Sequence, residues 1–314
     1  MPLRRSPGRS LAFAGICLFV FVGCSRDGAV GNSDVGNAGK ADERVSSLRA
    51  HIKKIEPFFK PMGKPKAYDW LASHNEPGQT FDEYIDSNPT LPTADRRTIY
   101  VLPLGKFNAQ QKKAVATASG YLEAFYGLPV KEMPEQRLTR PTAAGDLRYG
   151  GYPKHLLIRT GYILDTILKP KLPKDAAALI ALTDEDLFPD DSMDFVFGQA
   201  SFADRVGIYS LARLDDNAGF DTFLRRTLKI AAHETGHMFS MRHCTKYECV
   251  MSGTNHLGET DSRPIDACPE CMAKICWLSK TSPVERYERL AEFCRKNGLK
   301  DEAVEFTRKA AAVR

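Results

Sequence analysis

The chain predicts an α+β or α/β fold, with helices packed on a β-sheet, from three observations. Strand-like and helix-like segments follow one another in the order strand, helix, helix, strands, helix. Ala176 to Leu182 is an unbroken apolar run, as a strand buried on both faces requires. Phe220 to Phe239 reads as a long helix whose Phe223, Leu224, Leu228, Ile230 and Ala231 make a broad apolar face. With 314 residues, 43% of them hydrophobic, such a core needs no disulfide support.

The elements are predicted in order as follows. Ser46 to Phe59 is a short helix stopped before Pro61. Residues 61–97 are proline-rich with little periodicity and are expected to wrap the domain surface. Thr98 to Leu104 is a β-branched, aromatic strand. A helix follows, capped by Asn108 with Gln111 three residues on, and ended by Gly127 before Pro129. Tyr152 to Leu168 reads as a second helix. Beyond Ala176 to Leu182 come two strands, Phe195 to Phe197 and Val206 to Leu211, joined by a turn at Ala203-Asp204-Arg205. Ser282-Pro283-Val284-Glu285 opens a helix with a cap, a first-turn proline and a third-position acid. Asn297-Gly298 ends it, and Asp301 to Ala312 completes a helical hairpin that cannot bury its own face and so should cover the domain.

The N-terminus reads as an export signal. Arg4, Arg5 and Arg9 precede the apolar run Leu11 to Gly23, which is too short for a comfortable membrane span. A small residue before Cys24 resembles a bacterial lipoprotein box, so Cys24 is the expected lipidation site and the protein an exported, membrane-anchored lipoprotein. Ser25 to Ala41 is rich in Gly, Asn, Asp and Ser and is expected to be a flexible tether. Without the first 23 residues, 41 basic face 39 acidic residues. That balance gives no electrostatic footprint for nucleic acid. The domain reading is a signal at 1–23, a tether at 24–45, a catalytic domain at 46–280 and the hairpin at 281–314.

Three of the seven histidines fall in His233-Glu234-Thr-Gly-His237-Met-Phe-Ser-Met-Arg-His243. His233 and His237 are four apart and so lie one turn apart on one helix face, where both imidazoles can reach one zinc. Glu234, beside the metal, can take a proton from zinc-bound water and deliver it to a leaving amine. His243 requires the helix to stop and the chain to turn back. Three nitrogens leave a fourth zinc position open, the mark of a catalytic site.

Cys244, Cys249, Cys268 and Cys271 form a second set, a loop pair followed by a CxxC knuckle, with the spacing of a closed structural zinc site. Export would favour disulfides instead, Cys268 with Cys271 and Cys244 with Cys249. Zinc loaded during folding protects thiolates, which favours the metal. Cys276 and Cys294 are either free thiols or one disulfide. Asp184, Glu185 and Asp186 read as a solvated strand end rather than a cation site. His51, His74, His155 and His256 read as surface or satisfied polar histidines, with His256 close enough to Met251 to be weighed as a cleft residue.

The histidine pattern resembles that of the metzincin clan, HExxHxxGxxH followed by a methionine turn, with Met251 as the turn methionine and Ser240 standing where the clan has Gly. Ser240 is therefore expected in a backbone conformation that favours glycine. Together with the cysteines the pattern is similar to that of the archaemetzincins. Asp69-Trp70-Leu71, Pro77 to Phe81, Thr183 to Leu187 and Phe195 to Ala200 extend the resemblance over roughly residues 66–277. The resemblance implies a metzincin-like domain with a mixed sheet, a catalytic zinc on His233, His237 and His243, and a structural zinc on the four cysteines. It implies hydrolysis of a peptide or protein substrate, bound as an added strand along an edge near Phe195 to Ser210. The competing reading is a zinc-stabilised peptide-binding lipoprotein with little catalysis.

Overall fold

The computed structural model describes residues 33–150 and 155–314. The signal segment and Cys24 lie outside the described residues. The chain divides into two units, Met1–Ala41 and Asp42–Arg314. The following describes the second, with the helix that leads into it.

Helix α1 (Ser33–Ile55) runs into a 3-10 turn, Glu56–Phe58. The helix begins at Ser33, within the segment expected to be a tether. Short helices α2 (Trp70–Ser73) and α3 (Phe81–Asp86) interrupt the proline-rich stretch, and α3 buries Phe81 and Tyr84. Strand β1 (Thr98–Pro103) and helix α4 (Ala109–Tyr126) follow, with the Asn108–Gln111 capping box and the end at Gly127 as predicted. Then come β2 (Val130–Glu132), β3 (Leu147–Gly150) and β4 (His155–Arg159).

The helix predicted from Tyr152 begins only at Thr160. The residues before it pair as β4 with β3 on one side and with β6 (Asp186–Phe188) on the other, and tertiary pairing of the β-branched and leucine side chains overrides the helical reading. The helix itself runs as α5 (Thr160–Tyr162), a π-helical segment Ile163–Leu168 and α6 (Lys169–Lys171).

Strand β5 (Ala176–Thr183) is central. With β7 (Gly198–Ala200) and β8 (Val206–Ser210) it completes a five-stranded sheet of order β2-β1-β5-β8-β7. All neighbours are parallel except β7, which pairs antiparallel with β8. The sheet is thus mixed. The strand expected at Phe195 to Phe197 lies three residues later: the Phe197 carbonyl accepts from Ser210 N–H at 2.8 Å, and ladder pairing starts at Gly198. Helices α7 (Phe220–Met238), α8 (Leu257–Ser262), α9 (Pro269–Ser279), α10 (Pro283–Lys296) and α11 (Lys300–Val313) complete the chain.

Strand β5 is apolar throughout because both its faces are covered. Ile180 and Leu182 join α4 and α7 in the larger core, while Leu179 and Ala181 face Ile163, Leu164, Ile167 and Leu168 of the π-helical segment. This layering places the C-terminal half of α7 against the edge strand β7, which sets up the site.

Candidate metal centres

Helix α7 carries His233, Glu234 and His237 in its last turns. The apolar face holds the helix against the core, so these polar side chains are presented beside β7 rather than to open solvent. His233 Nδ1 lies 2.9 Å from the Val250 carbonyl, and His237 Nδ1 lies 2.7 Å from the Met241 carbonyl. A carbonyl only accepts, so each Nδ1 carries the proton and each Nε2 presents a lone pair. The two Nε2 atoms stand 3.0 Å apart. Burial pushes the His233 imidazole down to about 3 and His237 well below its ordinary value, so both are neutral at physiological pH.

The helix ends at Met238 and the chain turns through Ser240, at φ 62°. His243 then returns to the other two, and one ring nitrogen from each of the three falls within 4.8 Å of the others. Its Nδ1 lies 2.9 Å from both oxygens of Glu76. Two acceptor nitrogens brought this close, with their partners fixed behind them, fit a cation of zinc's size and ligand preference. Trp70 stacks on His74 at 3.7 Å and meets His243 edge-on at 5.2 Å. Glu76 and Trp70 come from the proline-rich segment, whose sequence carries no spacing signal that would assign either a place at the site.

Glu234 is 5% exposed, and its Oε2 has no hydrogen-bond partner. Burial pushes its carboxyl up to about 8. It fits against β7 only because residue 198 is glycine: a Cβ there would lie 2.6 Å from Oε1. Met251 packs against α7 in the same manner, its Sδ 2.6 Å from the position of a Cβ on Gly236. The cleft over these residues has a volume of about 490 Å³ and is lined on one side by Phe197, Gly198, Gln199 and Ala200. The edge expected near Phe195 to Ser210 is therefore β7, and it borders the histidines.

The four cysteines also meet. Their sulfurs lie within 4.8 Å of one another, Cys244 and Cys268 at 3.5 Å, and all four are buried. Cys249 Sγ accepts from the backbone N–H of Cys268 at 3.2 Å and of Met251 at 3.4 Å. Hydrogen bonds from Cys249, Cys268 and Cys271 hold the Cys244 thiol far below its usual range, while burial pushes Cys249 and Cys268 up. Four soft donors gathered around one buried point suit tetrahedral zinc. None of the six described cysteines, Cys276 and Cys294 included, is disulfide-bonded.

The remaining residues are placed as follows. Of Asp184 to Asp186, Asp186 departs from a solvated end: it is buried and paired with Arg213 at 2.6 Å, while the half-buried Glu185 pairs with the exposed Arg140 at 3.0 Å. The partners of Asp186 and Glu185 come from distant segments, which composition alone does not show. His256 caps α8 by accepting from Glu259 N–H at 3.1 Å and lies outside the histidine cleft.

The profile of Peptidase family M54 matches residues 163–276. Archaemetzincin-2 of Macaca fascicularis and of Homo sapiens are each 33% identical to the chain over 271 residues, covering 75% of it and 74% of the relative. The crystal structure of archaemetzincin from Methanopyrus kandleri superposes with a TM-score of 0.50 at 26% identity, covering 60% of this chain and 98% of that one. The chain belongs to the archaemetzincin family and is a zinc metallopeptidase.

Proposed function

We propose that His233, His237 and His243 hold the catalytic zinc, that Glu234 is the proton-transferring residue, and that Cys244, Cys249, Cys268 and Cys271 hold a second, structural zinc. The observation that carries this reading is the convergence of the Nε2 atoms of His233 and His237 at 3.0 Å beside an unpartnered Glu234 carboxylate. Zinc bound there would polarise the scissile carbonyl and acidify a water molecule. Glu234 would be the group to take a proton from that water and pass it to the leaving amine. Its carboxyl, held high by burial, would be drawn down toward neutrality by a neighbouring cation, a proton affinity suited to both transfers. The backbone of β7 seats the peptide as an added strand. Met251 serves as the packing floor beneath the histidines.

In the purified full chain, elemental analysis should give two zincs, and a diverse peptide library read by mass spectrometry should be cut. Glu234→Gln should keep both zincs and lower kcat by about 10²–10⁴. A variant as active as the parent would remove Glu234 from the mechanism. The positions of the cuts assign exo- or endopeptidase action.

We also propose that residues 1–23 direct export and that Cys24 carries the lipid, leaving a domain from residue 46 outside a membrane. Among the described residues no helix is long and apolar enough to cross one. Mass spectrometry of the mature N-terminus should find a diacylglyceryl-modified Cys24; an intact Met1 would overturn the proposal.

A further inference from the structure

The cleft continues past the histidines between α7 and the segment from Ser252 to Arg263. Lys229 stands one turn before His233 on α7, so it shares the face that carries the histidines. It is 6% exposed and lines the same cleft. Its ammonium donates to the carbonyls of Thr260 at 2.8 Å and Asp261 at 3.3 Å, and among the described residues it makes no ion pair. The carboxylate of Asp261 is held by Arg226 at 2.6 Å. Burial lowers the Lys229 amine to about 8, so it remains cationic at neutral pH.

Arg263 lines the same end of the cleft. It meets Glu259 at 3.2 Å, and its Nε is buried without a partner. Glu259 is already engaged, accepting from the N–H groups of Trp70 at 3.0 Å and Asn255 at 2.8 Å. Of the two cations, Lys229 is thus held by backbone carbonyls, and Arg263 by a carboxylate that two backbone N–H groups already share. A buried ammonium held only by carbonyls and a buried guanidinium N–H with no acceptor are both costly, and a ligand carboxylate placed there gains charge-assisted hydrogen bonds.

We propose that this end of the cleft, built by Lys229 and Arg263, is a carboxylate-binding subsite, so that the peptidase selects substrates presenting an acidic side chain or a free C-terminal carboxylate next to the scissile bond. This deepens the metallopeptidase reading and rests on it. Lys229 is a specificity residue in this account and takes no part in proton transfer.

The test uses the zinc-loaded full chain and matched peptides bearing Glu or Gln on either side of the cut, each with a free or an amidated C-terminus. A peptide with a carboxylate should be favoured over its neutral counterpart by about tenfold or more in kcat/KM. Preference among the amidated peptides assigns the side chain, and preference between free and amidated Gln peptides assigns the terminus. In Lys229→Met the ratio should fall toward one, while cleavage of the neutral peptide changes less than the ratio does. Arg263→Gln provides a second variant should the first fail to fold. Titration calorimetry of the same peptides on Glu234→Gln reads the subsite without turnover and should show the same preference, weakened by added salt. Equal cleavage and equal binding of all peptides would overturn the proposal. Selective binding with no cleavage by the parent would keep the subsite and remove the peptidase reading beneath it.

Discussion

Ser240 holds the left-handed backbone that lets the chain double back to His243, and its hydroxyl offsets the strain. Ser240 Oγ donates to the Phe202 carbonyl at 3.0 Å and accepts from Thr90 N–H at 3.0 Å. Thr90 donates to the same carbonyl at 2.9 Å. Glycine would relieve the conformation and lose both contacts; alanine would keep the strain and lose them too. Ser240→Ala should therefore destabilise the protein by about 2 kcal/mol and Ser240→Gly by about 1 kcal/mol, measured by urea unfolding of the zinc-loaded chain. Equal losses would mean that the backbone at 240 stores no strain. At this scale the histidines, Glu234 and the cysteines were legible because helix periodicity and knuckle spacing are local properties. Glu76, Lys229 and Arg263 were not. A carboxylate 167 residues from His243 leaves no mark on the spacing of either segment.

Among the elements, the pairing of α7 with the edge strand β7 has the most direct bearing on chemistry. The two approach closely enough that Glu234 occupies the space where residue 198 would have a side chain. Gly198→Ala should push the carboxylate from its place, lowering kcat by at least tenfold while zinc content and unfolding midpoint stay near the parent's. Unchanged turnover would show that Glu234 has room to relocate. Helices with good punctuation, α4 and α10, were legible to within a residue or two, since their capping boxes are written in four consecutive positions. Strand β4 was misread as helix because its identity depends on β3 and β6, which lie on either side of it in space.

Across the whole molecule, a buried charge cluster joins the C-terminal hairpin to the cysteine loop. Asp266, two residues before Cys268, pairs with Arg286 of α10 at 3.0 Å and Lys309 of α11 at 3.1 Å, and all three are nearly inaccessible. The Asp266 carbonyl accepts from Val250 N–H at 3.0 Å, which reaches the residue that orients His233. Asp266→Ala would leave the buried Arg286 without a counter-charge and Lys309 with only Glu305, at 3.5 Å. It should cost about 3–5 kcal/mol in stability and reduce zinc bound per chain, read by unfolding and elemental analysis. A stable variant with both zincs would make the cluster an incidental contact. The hairpin was legible as a cover, but its tie to the metal loop was not, because neither Arg286 nor Lys309 differs in sequence from a solvated helix cation.

That tie sets an order of events during folding. Lys309 lies 43 residues beyond Asp266, so their pair forms only when α11 docks. Until α11 has docked, Asp266 lacks one of its two cations and the loop around it is less firmly held. Closure of the cysteine loop is thus coupled to the docking of α11.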